Sequence, residues 1–442
     1  MYPNPADSLP LPSQPNLEQY KKQAKDLIKA CRSGDPDSIG TWASEWIETL
    51  VRLQGASITS QIRASFDRQR KQVAEFAISK LTNAKLARSK CALTDAQFVI
   101  ASVHGFKSWP KFAKHVEDLN NSASPLSKFE LAVEAIITGD AVLLRQLLRE
   151  NPDLVHARST REHQATLLQY VAANGVEGFR QRIAKNAAEI ARTLLAAGAE
   201  VDAPNWPDGP AGPGTALGEV ATSIHTQRAG VQKALLELLL NHGARIDGLP
   251  GGWSPLLTAL HNDRPEAAAF LASRGARLTL EGAAGVGRLD VVMSYFNKDG
   301  SLKPGATEAE KQSGFVAACE YGYRDVVEFL LDKGVDLRAG ENTGQTALHL
   351  AAHRGQLEII KLLLRHGAPL EARNVYGGTA LGQATWSVLN GEPDIDFVPS
   401  IQVLLTAGAN VEEADYPTGN AAVDEVLRRH GAKSTTGTSI GP

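Results

Sequence analysis

The sequence predicts an all-α chain: stacked helix-turn-helix units preceded by a separate α-helical domain. Two observations carry this. A Gly-Ala or Gly-Val pair follows a Leu-rich run at Gly198, Gly243, Gly275, Gly334, Gly367 and Gly408, with gaps of 45, 32, 59, 33 and 41 residues. The longest gap divides at Gly300 into 25 and 34, leaving a base period near 33 with insertions and one short unit. A repeat of this length marks a solenoid, because one helix pair cannot bury its apolar face alone and a stack can. The second observation is helical spacing inside the period, as in Ile359, Ile360, Leu363 and Leu364 of "QLEIIKLLLRH".

The elements follow in order. Residues 1–16, "MYPNPADSLPLPSQPN", read as a flexible tail and lack the basic and apolar regions of a secretory signal. Residues 17–122 read as an α-helical domain. The first 120 residues hold 17 Lys and Arg against 12 Asp and Glu, near +5, and the remainder is near −8. Between 60 and 90 lie Arg63, Arg68, Arg70, Lys71, Lys80, Lys85, Arg88 and Lys90, opposite an apolar face of Ile62, Phe66, Val73, Phe76 and Leu81. Such a face contacts nucleic acid or an acidic protein, or is simply solvated. "LTDAQFVIASVHGFKSWPKFAKHVEDL" reads as a helix, a Gly turn and a second helix that starts at Trp109-Pro110. Phe106, Trp109 and Phe112 are expected in the core, and the hairpin is expected to cap the array.

The array is expected over 126–433, in about eight units, with 434–442 as a flexible tail. In its clearest unit Thr346 caps a short helix "ALHLAAHR", Gly355 ends it, the second helix runs to Arg365, and Gly367 supplies a left-handed C-cap. Three insertions break the period: "VEGFRQRIAKN" (176–186), "PNWPDGPAGPG" (204–214) and "NGEPDIDFVP" (390–399). They are binding loops or tolerated loops, and the sequence leaves both open.

"TGQTALHLAAHRGQLEIIKLLLRHGAPLEARN" (343–374) resembles an ankyrin repeat in length, in its T-x-L-H-x-A-A signature and in its terminal Gly-Ala. "SPLLTALHNDRPEAAAFLASRGARL" and "FVAACEYGYRDVVEFLLDKGVDLRA" are similar but degenerate. The whole chain resembles bacterial ankyrin repeat-containing proteins, through "LEQYKKQAKDLIKACRSGD" and "HGFKSWPKFAKHVEDL" ahead of the repeats, which implies a bacterial origin. The resemblance bears on His349 and His353, which share a helix face four residues apart and so could be read as zinc ligands. It implies that His349 is a structural hydrogen-bonder near the cap and that His353 is exposed and variable. No third ligand is in register, and no metal is expected. The signature histidine is replaced by Gln169, Gly218, Leu257 and Gly382 in other units, which puts the regularity of those units in doubt.

The remaining bounds are mostly exclusions. A net charge of −3 argues against the whole chain being a nucleic-acid binder. Three separated cysteines, Cys31, Cys91 and Cys319, show no C-x-x-C and fit a reducing cytoplasm better than a disulfide scaffold. No apolar run is long enough to span a membrane. "GAAGVGRLD" (282–290) fits a helical unit rather than a dinucleotide loop, "GLPGGWS" lacks the Lys-Ser/Thr of a P-loop, and no G-x-S-x-G elbow is expected. Asp394 and Asp396 have no His or Cys in register. No catalytic residue and no cofactor is expected.

The function expected is therefore a non-enzymatic protein-protein interaction module, monomeric, that binds a protein partner through the concave groove and hairpin tips. Aligned on Thr166, Thr215, Ser254, Thr346 and Thr379, the units share a column expected to be exposed: Ala173-Asn174, Thr222-Ser223, His261-Asn262, Glu320-Tyr321, His353-Arg354 and Trp386-Ser387. Its second half holds the interface-prone types, so His261, Tyr321, His353, Arg354 and Trp386 are candidate partner contacts. Trp206, Trp253 and Tyr376, near the turns between units, are further candidates. The alternative is a nucleic-acid-associated regulator acting through the basic N-terminal helices.

Overall fold

A computed structural model describes residues 4, 7–12, 14–33, 35, 37–53, 60–82, 91–206, 214–341, 343–391 and 394–433, without side chains for residue 53 and for 60–66. Among the described residues all regular structure is helical, and extended pairing is limited to isolated antiparallel bridges such as Arg158 with Thr166 and Gly340 with Thr346. The chain divides into two compact parts, 1–258 and 259–442. That division falls inside the expected array, not at its start.

Residues 1–258 begin with α1 (Leu17–Arg32), α2 (Ser38–Leu53), α3 (Ser60–Leu81), α4 (Leu93–Val103) and α5 (Trp109–Leu119). Tyr20, Ala24 and Leu27 repeat at helical spacing along α1, and all three are buried. They meet Trp42 and Trp46 of α2, Val73 and Phe76 of α3, and Phe106 and Phe112. Gly105, at φ 84, makes the turn between α4 and α5. The array follows with α6 (Pro125–Thr138), α7 (Ala141–Glu150), α8 (Leu167–Tyr170), α9 (Ala187–Ala196), α10 (Ala216–Thr222), α11 (Ile224–Arg228), α12 (Gln232–Asn241) and α13 (Pro255–His261), which runs into the second part. First helices stack on first helices (α6, α8, α10) and second on second (α7, α9, α12), while α5 packs against α6 as the expected cap.

Residues 259–442 continue with α14 (Pro265–Ser273), α15 (Leu280–Gly285), α16 (Leu289–Ser294), α17 (Glu308–Tyr321), α18 (Arg324–Asp332), α19 (Ala347–His353), α20 (Leu357–Arg365), α21 (Ala380–Asn390), α22 (Val398–Thr406) and α23 (Ala421–Arg429). Here α15, α17, α19 and α21 form one row and α16, α18, α20, α22 and α23 the other. On α20 the buried set is Ile359, Ile360, Leu362 and Leu363, with Leu364 only partly covered. The six repeat glycines all have φ between 74 and 100, and a Cβ on any of them would meet nothing within 4 Å. They are there for the left-handed C-cap and not for space.

Two expectations fail here. Cys31 and Cys91 form a disulfide, with Cα atoms 5.9 Å apart, so the argument for a reducing cytoplasm loses its premise. Sixty residues of sequence hid the pair, because α1 and α4 pack together and bring the end of one beside the start of the other. Only Cys319 is a free thiol, and it is buried. The described part of the expected N-terminal tail is also docked. Leu9 is buried, its N–H donates to Val103 O at 2.8 Å, and its carbonyl lies 2.9 Å from His104 Nδ1. The expected C-terminal tail, 434–442, lies outside the described residues.

Candidate interaction surface

His349 closes a capping box. Its Nδ1 accepts from the Thr346 N–H at 3.2 Å and lies 2.9 Å from Thr346 Oγ1, and its Nε2 reaches Gly378 O at 3.1 Å. Burial lowers the pKa of this ring, which favours the neutral form those contacts need. The histidine therefore ties one unit to the turn of the next. Gln169 does the same in the first part: its Oε1 accepts from the Thr166 N–H at 2.8 Å and its Nε2 donates to Ala203 O at 2.9 Å. That unit is as regular there as the one with histidine. Among the described residues no group of three His, Cys, Asp or Glu is placed to hold a metal ion.

The column expected to be exposed is largely covered. Ala173, Thr222 and Ser223 are buried. His353, expected in solvent, is half-buried. Its Nδ1 lies 2.7 Å from Ser387 Oγ and 3.1 Å from Gln383 Nε2, and burial lowers its pKa. Tyr321 is half-buried as well, and its hydroxyl donates to Leu260 O at 2.7 Å. Arg354 pairs with Asp263, lies 3.7 Å from Glu320, and sits 5.9 Å over the Tyr321 ring. Arg354 thus links the end of α19 to α17 and to the turn after α13.

His261 is exposed, and its Nε2 lies 2.6 Å from Glu281 Oε1, a contact that raises the pKa of the ring. Trp386 is 36% exposed, with its ring 6.0 Å from that of His353. Tyr376 is 68% exposed at a tip. Trp206 is half-buried, donating to Gly175 O at 3.3 Å, and Trp253 is half-buried near Gly214. Contacts thus join His261, Tyr321, His353, Arg354 and Trp386 into one neighbourhood on α13, α17, α19 and α21. Trp206 belongs to the first part, and so does Trp253.

The insertions also resolve. "VEGFRQRIAKN" is tied to α6 and to the segment before α8 through a buried charge network that sequence reasoning missed. Glu177 pairs with Arg161, and Arg180 pairs with Glu130 and lies 3.6 Å from Glu177. Arg161 also donates to His104 O at 2.8 Å, and His163 Nε2 lies 3.4 Å from Glu177. Burial alone would raise the Glu177 carboxyl, but Arg161, His163 and Arg180 hold it well below its ordinary range. For Glu130 the same opposition, led by Arg180, also ends low. The only signal in the sequence was Glu177 and Arg180 flanking an apolar Phe179. Residues 207–213 of the second insertion lie outside the described residues. Glu219 is buried against Gly175 and Gly214, accepting from Asn205 Nδ2 at 2.7 Å. Burial pushes its carboxyl up to about 7, with the Asn205 bond opposing. The third insertion packs Ile395 and Phe397 against Gly355, where a Cβ would come within 2.8 Å of Ile395. Trp386 stays exposed.

The basic face of α3 is solvated where it is described: Arg68, Arg70, Lys71 and Lys80 are exposed. Lys85, Arg88 and Lys90 lie outside the described residues, as does the side chain of Arg63. One G-x-S-x-G string does occur, Gly437 to Gly441, contrary to expectation. It too lies outside the described residues, and the segment before it is helix α23, not the strand an elbow requires.

The family model described as ankyrin repeats matches residues 287–415, in three copies. Among solved structures, the human ASB11 ankyrin repeat domain is similar at 21% identity, covering 63% of this chain and 98% of that one with a TM-score of 0.33. No curated protein matches the chain. The chain is thus an all-α protein with ankyrin repeats over 287–415, and ankyrin repeats are in general protein-interaction modules. No helix among the described residues is long and apolar enough to cross a membrane.

Proposed function

We propose that this chain is a non-enzymatic protein-binding module whose partner docks on α21 and the tip before it. One observation carries the choice of surface. Of the ten large apolar side chains exposed among the described residues, four fall between 375 and 389: Val375, Tyr376, Trp386 and Leu389. Trp386 and Leu389 are three apart on α21 and share a face. Exposed apolar side chains that share a face often mark an interface, and Trp and Tyr supply much of interface energy. His261, beside Glu281, offers a polar rim. Tyr321, His353 and Arg354 act behind this surface, holding α17, α19 and α21 in register. The test is affinity capture with the full chain and with Trp386→Ala plus Leu389→Ser. A protein retained by the parent and lost by the variant supports the reading. Identical captured sets would sink it.

A further inference from the structure

The second helices α7 and α9 pack side by side and leave a groove of about 560 Å³ between them, its apolar lining made by Leu148, Pro152 and Ala196. One rung crosses it: Arg145 Nη1 to Glu189 Oε1 at 3.0 Å. One turn further along each helix stand Arg149 and Arg192, both exposed and both lining the groove. Neither makes a hydrogen bond or salt bridge to a described residue. The Glu189 carboxylate, which feels Arg192, is already held by Arg145 and by Asn186 at 3.3 Å.

The same pair of helices elsewhere shows what a self-sufficient groove contains. Arg324 on α18 reaches Glu358 on α20 at 3.9 Å, the counterpart of the Arg145–Glu189 rung. One turn on, the residues are Glu328 and Lys361, of opposite sign. Glu328 takes Arg324 at 2.9 Å and Lys361 takes Glu358 at 2.7 Å, so that set of four charges is neutral. In the α7–α9 groove the four are three arginines and one glutamate. Arg149 and Arg192 line the groove beside Leu148, Pro152 and Ala196, and the one carboxylate lining it, Glu189, is bonded to Arg145.

We propose that this groove docks an acidic protein segment, with a carboxylate bridging Arg149 and Arg192 and an adjacent apolar side chain on the Leu148–Pro152–Ala196 lining. Guanidinium forks match carboxylates geometrically, and the missing counter-charge is the one a carboxylate supplies. The site is on other helices than the surface proposed above and does not rest on it.

The test uses the full chain on an array of nine-residue peptides, each with a central Glu flanked by Leu, Val or Ala and each paired with a Gln twin. Glu peptides are expected to retain the chain about tenfold better than their twins, and raising salt from about 50 to about 500 mM should weaken them. Arg149→Glu with Arg192→Glu should remove that preference while leaving the melting temperature in place, since both side chains are exposed. Trp386→Ala should leave it intact, which separates this site from the other surface. The proposal is overturned if no Glu peptide exceeds its Gln twin or if the double variant binds like the parent. It is equally overturned if inorganic phosphate or a single-stranded oligonucleotide binds the groove and the peptides do not.

Discussion

In residues 259–442 consecutive units are joined by apolar contacts that recur at matched positions. Ala283, Ala284, Phe315, Ala318, Leu348, Ala351, Leu381 and Ala384 lie buried along one row of first helices. In residues 1–258 the unit built on α8 and α9 carries an insertion between its helices, and buried charge does part of the same work. Arg161 and Arg180 hold Glu177 and Glu130 in the interior. The two solutions differ in what they tolerate. An apolar row loses one contact when one side chain shrinks. A buried ion network loses its neutrality, and the abandoned charge has no water to turn to. The regular solution is also the one whose pattern a family model recognises, and the match begins at residue 287.

The largest effect should come from breaking the network. Arg180→Ala strands Glu130, while Glu177 keeps Arg161, and is expected to cost about 3–5 kcal/mol in urea unfolding. Replacing Arg180 and Glu130 together by Met and Leu should recover most of that, because no unpaired charge remains. A double variant as unstable as the single one would mean the cluster is held by packing alone.

Next comes Glu219, also in the first part. Its carboxyl is raised from 4.5 to about 7 by burial, so the folded chain keeps a proton that the unfolded chain releases. Stability from this group is complete below the unfolded value and is lost as pH climbs towards 7, by about 3 kcal/mol at most. Glu219→Gln should flatten that slope when melts are compared between those two pH values. An unchanged slope would place the cause in other groups.

His349→Ala should cost about 1–2 kcal/mol, the loss of a buried link between two units. His349→Gln should stay within about 0.5 kcal/mol, since Gln169 already makes the same two bonds in its own unit. Chelators should shift the melting of neither the parent nor the variants.

The smallest effect is expected at Trp386. Its removal should change stability by less than about 0.5 kcal/mol, as exposed positions usually do. Phe397→Ala, at a buried neighbouring position, should cost about 3 kcal/mol or more. A Trp386→Ala melt resembling that of Phe397→Ala would move this tryptophan from the surface to the core.

Much of the fold was legible because its signals are local. A cap hydroxyl, a left-handed glycine and a helical stripe each act within a few residues, so Thr346, Gly367 and Ile359–Leu363 could be assigned from spacing. The candidate surface was legible only in part. Exposure is decided by what neighbouring units cover. Tyr321 and Arg354 sit at the same repeat position as residues that would be open on an isolated pair, yet Leu260 of α13 and Asp263 of the turn after it reach them. Trp386 and Tyr376 stayed exposed because nothing comparable reaches them.

What the sequence alone determined is the repeat: its period, its helix ends, its capping histidine and the apolar side of each second helix, all set by chain-local sterics and hydrogen bonding. What only the tertiary structure decided is pairing across long separations. Cys31 met Cys91, Arg180 met Glu130 fifty residues away, and Gln169 took over a histidine's role. Each of these depends on where two helices pack, and packing is a property of the summed apolar contacts of the whole stack, which no single stretch of chain contains.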